Sequence, residues 1–183
     1  MEVIEPLQRI VLLGAMGAGK STVGERLAAR LGWRHVDLDR EIERRRGLTV
    51  ADIFRIEGER VFRAWEVALT LELLDQAYLV LSPGGGWVTN PGLLERLGPQ
   101  TLTVWLQASP KALWERLRQD WGTRPLLHTP QPLETLAQLV AQREPAYRHA
   151  DVVVATEGRT IDEVVEEVFA AALERGAVPQ PLA

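Results

Sequence analysis

No cysteine occurs among the 183 residues, which excludes disulfides, zinc–thiolate sites and thiol nucleophiles. Lysine is scarce too: Lys20 and Lys111 are the only ones, the other basic residues are arginines, and Asn90 is the only asparagine. Such a bias fits a heat-adapted or a GC-rich source without separating them. Positive charge is not in excess. The formal net charge is -4 and the longest run of like charge is Arg44-Arg45-Arg46, so no nucleic-acid partner is expected. No stretch approaches the roughly 20 apolar residues of a membrane span. The start, Met1-Glu2-Val3-Ile4-Glu5-Pro6, has neither the basic segment nor the apolar run of a signal peptide. The expectation is a cytoplasmic protein with no membrane partner.

What is present is ordinary for a globular chain, 46% apolar and 25% charged, and 183 residues suffice for one domain with its own core. Short apolar runs alternate with longer amphipathic stretches, the pattern of βα units on a parallel sheet. Five runs read as strands: Arg9 to Leu13, Trp33 to Val36, Tyr78 to Leu81, Thr101 to Leu106 and Asp151 to Ala155. Helical patterns cover Ser21 to Leu31, Arg40 to Arg46, Thr49 to Ala77, Pro91 to Leu97, Pro110 to Trp121, Leu133 to His149 and Ile161 to Arg175. In the last, Thr160 and Glu163 form a capping-box signature. Gly122 to Pro132 carries three prolines and reads as an inserted mobile loop, and the tail Gly176 to Ala183 reads as frayed.

Gly14-Ala15-Met16-Gly17-Ala18-Gly19-Lys20-Ser21 matches G-x-x-x-x-G-K-[ST] between an apolar strand and a helix, where a phosphate loop must lie. Glycines let successive backbone N–H groups turn toward a phosphate, and the helix N-terminus adds partial positive charge. Lys20 suits the β- and γ-phosphates and the Ser21 hydroxyl suits magnesium.

The second strand ends in Asp37-Leu38-Asp39, expected beside the phosphate loop because sequential strands tend to be neighbours. Either one carboxylate serves magnesium and the other takes a proton, or Asp39 is merely a helix N-cap and Asp37 a turn residue. The later strand where a phosphate-loop ATPase usually places a second metal-binding acid runs instead into Ser82-Pro83-Gly84-Gly85-Gly86. That moves the metal role toward Asp37 and leaves the glycine run for close approach to a ligand.

Taken in order, the loop, Asp37-Leu38-Asp39, Phe62-Arg63-Ala64-Trp65-Glu66, Gly84-Gly85-Gly86, Arg124-Pro125-Leu126-Leu127 and Arg143-Glu144-Pro145-Ala146-Tyr147 closely resemble the shikimate kinase family over nearly the whole chain. The resemblance implies an α/β fold, the three-layer P-loop NTPase fold of the nucleoside-monophosphate-kinase type with a five-stranded parallel sheet. It implies one kinase domain over residues 1–183, with a phosphate loop at 14–21, a substrate-binding region at about 38–77 and a lid at about 121–133. The activity implied is transfer of the ATP γ-phosphoryl group to the 3-hydroxyl of shikimate, with magnesium, by a monomer whose partners are those two small molecules.

The resemblance also implies roles. Lys20, Asp39 and Arg124 would be catalytic, Asp39 also contacting the shikimate ring. Gly17, Ala18, Gly19, Lys20, Ser21, Thr22, Arg118, Arg124 and Arg159 would bind ATP. Arg63 and Arg143 would hold the shikimate carboxylate, with Glu66 orienting Arg63 and Gly84, Gly85 and Gly86 offering backbone to the same substrate. Ser21 and Asp37 would serve the metal. Either Arg116 or Arg118 could stack on adenine, and the facing segment Arg159-Thr160-Ile161 lacks the family's proline. A related kinase for gluconate or a nucleoside monophosphate is the rival, and the glycine run with the Arg63 and Arg143 pair favours a carboxylated polyol over a nucleotide. An insert able to exclude water disfavours a mere nucleotide switch.

Overall fold

The computed structural model describes residues 5–119 and 128–182. Its sheet has five parallel strands: β1 (Arg9–Leu13), β2 (Arg34–Asp37), β3 (Leu79–Ser82), β4 (Thr101–Gln107) and β5 (Val152–Ala155). The spatial order is β2-β3-β1-β4-β5, with Ile10 opposite Val80 on one side and Leu102 on the other. Thus β2 is not the neighbour of β1, as chain order leads one to expect. The first crossover skips a place and β3 later fills it. The chain winds one way from β1 and then the other, and the crevice at the carboxyl ends beside β1 is where ligands bind in such sheets.

Among the described residues, seven α-helices cover the two faces: α1 (Lys20–Leu31), α2 (Leu38–Arg46), α3 (Val50–Ile56), α4 (Glu59–Leu73), α5 (Pro110–Leu117), α6 (Pro132–Tyr147) and α7 (Ile161–Glu174). Side chains alternate across a strand, so the continuous apolar run of β1 divides between two cores. Ile10 and Leu12 join Val104 and Leu106 under Val23 and Leu27 of α1 and Val164 and Val168 of α7. Val11 and Leu13 join Leu81 and Trp105 over Ile42 of α2, Ile53 of α3 and Phe62 and Leu69 of α4. Truncating one of these buried leucines to alanine costs about 2–5 kcal/mol. Among the described residues no helix is long and apolar enough to cross a membrane.

Three expectations give way to tertiary detail. The single helix expected over 49–77 is two, because Gly58 turns the chain at φ 88°, left-handed backbone that a β-carbon disfavours. Pro91 to Leu97 holds only a short 3₁₀ turn at Glu95–Leu97, following another at Trp87–Thr89. The tail docks: Ala177 is buried and bridges Leu7, the Gln180 N–H donates to the Leu31 carbonyl at 2.7 Å, and Val178 offers its carbonyl to the Trp33 indole at 3.1 Å. A buried indole N–H requires an acceptor, and no local pattern in the tail announces that it supplies one. The Thr160–Glu163 capping box forms as expected.

Candidate active site

Gly14 to Ser21 joins β1 to α1, and Gly19, at φ 93°, is the N-cap. With no side chain at the cap, the first amides of α1 remain for an anion. The Lys20 ammonium folds back to donate to the carbonyls of Gly14 at 2.6 Å and Ala15 at 2.9 Å, while Thr22 lies exposed in the first turn.

Asp37, and not Asp39, is the N-cap of α2: its Oδ1 accepts from the Arg40 N–H at 3.1 Å. Its other oxygen accepts from the Ser21 hydroxyl. Capping and a place beside the phosphate loop are therefore both true of one residue. Asp39 sits in the first turn of α2, turned toward the glycine run. Where a metal-binding acid was sought at the end of β3, Ser82 stands level with Asp37. Its buried hydroxyl donates to the Lys20 carbonyl at 2.8 Å, so it must accept from Nε2 of His35 at 2.9 Å. Burial pushes the His35 imidazole below its ordinary range, which keeps it neutral in that role. His35 and Ser82 were not legible as site residues, since neither belongs to a motif.

The three glycines after β3 bring the remaining groups together. A β-carbon on Gly84 would stand 3.0 Å from Asp39 Oδ1, and one on Gly85 would stand 3.0 Å from the Met16 nitrogen and 3.3 Å from Arg143 Nη1. One on Gly86 would strike Arg63 Nη2 at 2.2 Å. Each glycine therefore admits a different partner: a carboxylate, the phosphate loop with one guanidinium, and a second guanidinium. Helix α4 carries Arg63, which donates to buried Glu66 at 2.6 Å and to Glu59 at 3.0 Å. Burial opposes charge on Arg63, but the carboxylates of Glu66 and Glu59 outweigh it. Glu66 is fully buried, and desolvation pushes its carboxyl up, while Arg63 and the Asn90 amide pull it back. Arg143, on α6, is buried beside Tyr147, whose hydroxyl donates to the Gly85 carbonyl at 2.6 Å. Burial pushes that phenol up to about 12.

On the nucleotide side, Arg116 donates to the Gly17 carbonyl at 3.1 Å and to Thr156 at 3.2 Å, tying α5 to the phosphate loop and to the turn after β5. Arg118 is exposed and pairs with Glu115 at 3.4 Å. Arg159 is occupied by the Ala155 carbonyl at 2.8 Å and by Glu167. Arg124 lies outside the described residues, as does 120–127 as a whole, and the remainder of the expected lid runs into the start of α6.

A phosphate loop leading from the central strand into α1, two carboxylates where β2 passes into α2 and arginines facing a glycine run define a P-loop kinase of the nucleoside-monophosphate-kinase type. A gluconokinase from Sinorhizobium meliloti 1021 shares this fold at a TM-score of 0.59 and 21% identity. Residues 16–173 match the shikimate kinase family, and the chain belongs to it. A shikimate kinase from Thermus thermophilus is 44% identical over 168 residues, 92% of this chain and 91% of that protein. One from Rhodopseudomonas palustris is 40% identical over 174 residues, 94% and 85%. The solved shikimate kinase from Acinetobacter baumannii in complex with shikimate has a TM-score of 0.87 at 36% identity, covering 94% of this chain and 97% of that one.

Proposed function

We propose that this chain transfers the γ-phosphoryl group of ATP to the 3-hydroxyl of shikimate, giving shikimate 3-phosphate and ADP in chorismate biosynthesis, as a cytoplasmic monomer. The observation that carries the reading is the convergence of Arg63 and Arg143 on Gly86 and Gly85, next to both Asp39 and the phosphate loop. Two largely buried guanidinia at one point suit a planar anion, and a carboxylate on the acceptor would sit there while its ring hydroxyls meet Asp39.

The parts then divide the work. Backbone amides of Gly17, Ala18 and Gly19 cradle the phosphates, and Lys20 leaves the loop carbonyls to neutralise charge on the transferring group. Asp39 orients the attacking hydroxyl and takes its proton. Arg124 would meet the γ-phosphoryl group from the lid, and Arg116 rather than Arg118 is the arginine held next to the phosphate loop for the base. Ser21 and Asp37 are hard oxygen donors already in contact, a donor set that fits magnesium, and they would hold it. Bound magnesium would supply charge neutralisation across the β- and γ-phosphates.

The test is ADP release measured in parallel with shikimate, gluconate, nucleoside monophosphates and water as the only acceptor. Release with shikimate alone is expected. Equal release with gluconate, which also carries a carboxylate, would keep the clamp but remove its selectivity for the shikimate ring. Equal release with a nucleoside monophosphate would remove the carboxylate as the recognised group, and release with water alone would make the protein an ATPase.

A further inference from the structure

Two elements of the acceptor side, the segment that follows the glycine run and α4, are joined by the Trp87 indole, which donates to Thr70 at 2.9 Å, and by the neutral side chain of Asn90. It follows the 3₁₀ turn Trp87–Thr89, and only 7% of it is exposed. Its amide nitrogen lies 3.2 Å from Glu66 Oε1 and 2.9 Å from the Trp87 carbonyl. Both neighbours can only accept from it, so the nitrogen and not the oxygen of the amide must face them. Glu66 Oε1 is the same oxygen that receives Arg63 at 2.6 Å. Arg63 in turn lies against Gly86, with no room for a β-carbon between them. The chain of contacts thus runs from the turn through Asn90, Glu66 and Arg63 back to the glycine run, and it closes on itself.

We propose that Asn90 is a positioning residue for acceptor binding: its amide holds the Glu66 carboxylate in place, and through it the guanidinium of Arg63 against Gly86. This rests on the reading of Arg63 as the acceptor's carboxylate ligand. The physical need is clear from burial. A carboxylate removed from water requires donors, and Arg63 alone leaves Glu66 with one. A second charged donor would overcompensate and draw Glu66 away from Arg63, whereas an amide adds a hydrogen bond without charge. If the amide is lost, desolvation favours the protonated acid, which no longer anchors Arg63, and Arg63 relaxes toward the more exposed Glu59. The phosphate loop takes no part in this closed chain, so acceptor binding is affected and nucleotide binding is not.

The test compares wild type, Asn90→Asp and Asn90→Ala by steady-state kinetics at several pH values. The charged or titratable groups about this point are Arg63, Glu59 and Glu66 from α4, Asp39 from α2, and Arg143 and Tyr147 from α6. Asn90→Asp would turn a carboxylate onto two acceptors, so its KM for shikimate should rise roughly tenfold or more near pH 8, with KM for ATP nearly unchanged. Two carboxylates at one site share a proton as pH falls, and the protonated one can donate to the other. The KM of Asn90→Asp for shikimate should therefore fall between about pH 9 and about pH 6, whereas that of wild type should not. Asn90→Ala, which cannot regain a donor, should show a raised KM with no recovery, and it serves if the aspartate variant does not fold. Unchanged KM for shikimate in the variants, or equal rises for shikimate and ATP, would overturn the positioning role while wild-type turnover left the acceptor reading intact. Wild type that releases no ADP with shikimate would overturn both.

Discussion

The phosphate loop and the acceptor wall meet at Gly85, where a β-carbon would touch Met16 of one and Arg143 of the other, but they are built by opposite means. The loop is eight consecutive residues whose recognition groups are backbone amides and one lysine. The wall is drawn from α4, the turn after β3 and α6, and the groups proposed to recognise the acceptor are long side chains within a set of buried hydrogen bonds: Arg63 to Glu66, Asn90 to Glu66, and Tyr147 to the Gly85 carbonyl. Phosphate is a generic ligand that any helix N-terminus favours, so a local device suffices. A specific carboxylated ring must be measured in three dimensions, and that takes groups from distant parts of the chain.

The comparison is broken most severely by removing what the loop alone supplies. Lys20→Ala should cost about a thousandfold or more in turnover with the circular dichroism spectrum unchanged, because no group of the wall can neutralise the transferring phosphoryl. Next comes the residue facing both sides. Asp39→Asn should lower kcat by about 10²–10⁴ and leave ATP affinity alone, as ADP release and nucleotide titration would show. A wild-type kcat would reduce Asp39 to a carboxylate that merely complements the α2 dipole.

The wall should fail differently. Arg63→Ala and Arg143→Ala should each raise KM for shikimate by about 10–100-fold, in keeping with charge-assisted bonds of about 1.5–3 kcal/mol. The double variant should lose less than the product of the two, and Arg63→Lys should not rescue, since a point charge lacks the fork that meets both oxygens. Strictly multiplicative losses would show two independent sites instead of one clamp.

The smallest effect sharpens the comparison by testing how the wall is supported. Tyr147→Phe should cost about 1–3 kcal/mol by leaving the Gly85 carbonyl unsatisfied. The phenol's folded value of about 12 lies above its ordinary 10, so the stability it contributes is present below pH 10 and is lost as pH rises from there through 12. Denaturation monitored over that range should show an alkaline limb in wild type that the phenylalanine variant flattens.

How much could be read without coordinates follows the same division. The capping box and all five strands were legible because their signals lie within a few neighbouring residues, and so was the octapeptide loop. The break at Gly58 and the docked tail were not. One depends on how α3 and α4 pack on the sheet, the other on the needs of an indole elsewhere in the chain. Asp37-Leu38-Asp39 marks the middle case: its place at the turn from the second strand into a helix was visible, but the expectation that β2 adjoins β1 was wrong, and only the fold assigned the cap to Asp37.

The alternation of strands and helices, the phosphate loop and the membership of the family are all written in the order of residues, since periodicity, glycine backbone freedom and ordered motifs are properties of the chain read along its length. Tertiary structure alone decided that Ser82 and His35 brace the Lys20 carbonyl, that three glycines admit Asp39, Arg143 and Arg63 in turn, and that Asn90 reaches Glu66. The reason is physical. A buried donor or acceptor is satisfied by whatever the packing brings within about 3 Å, and the spacing of residues along the chain does not encode that distance.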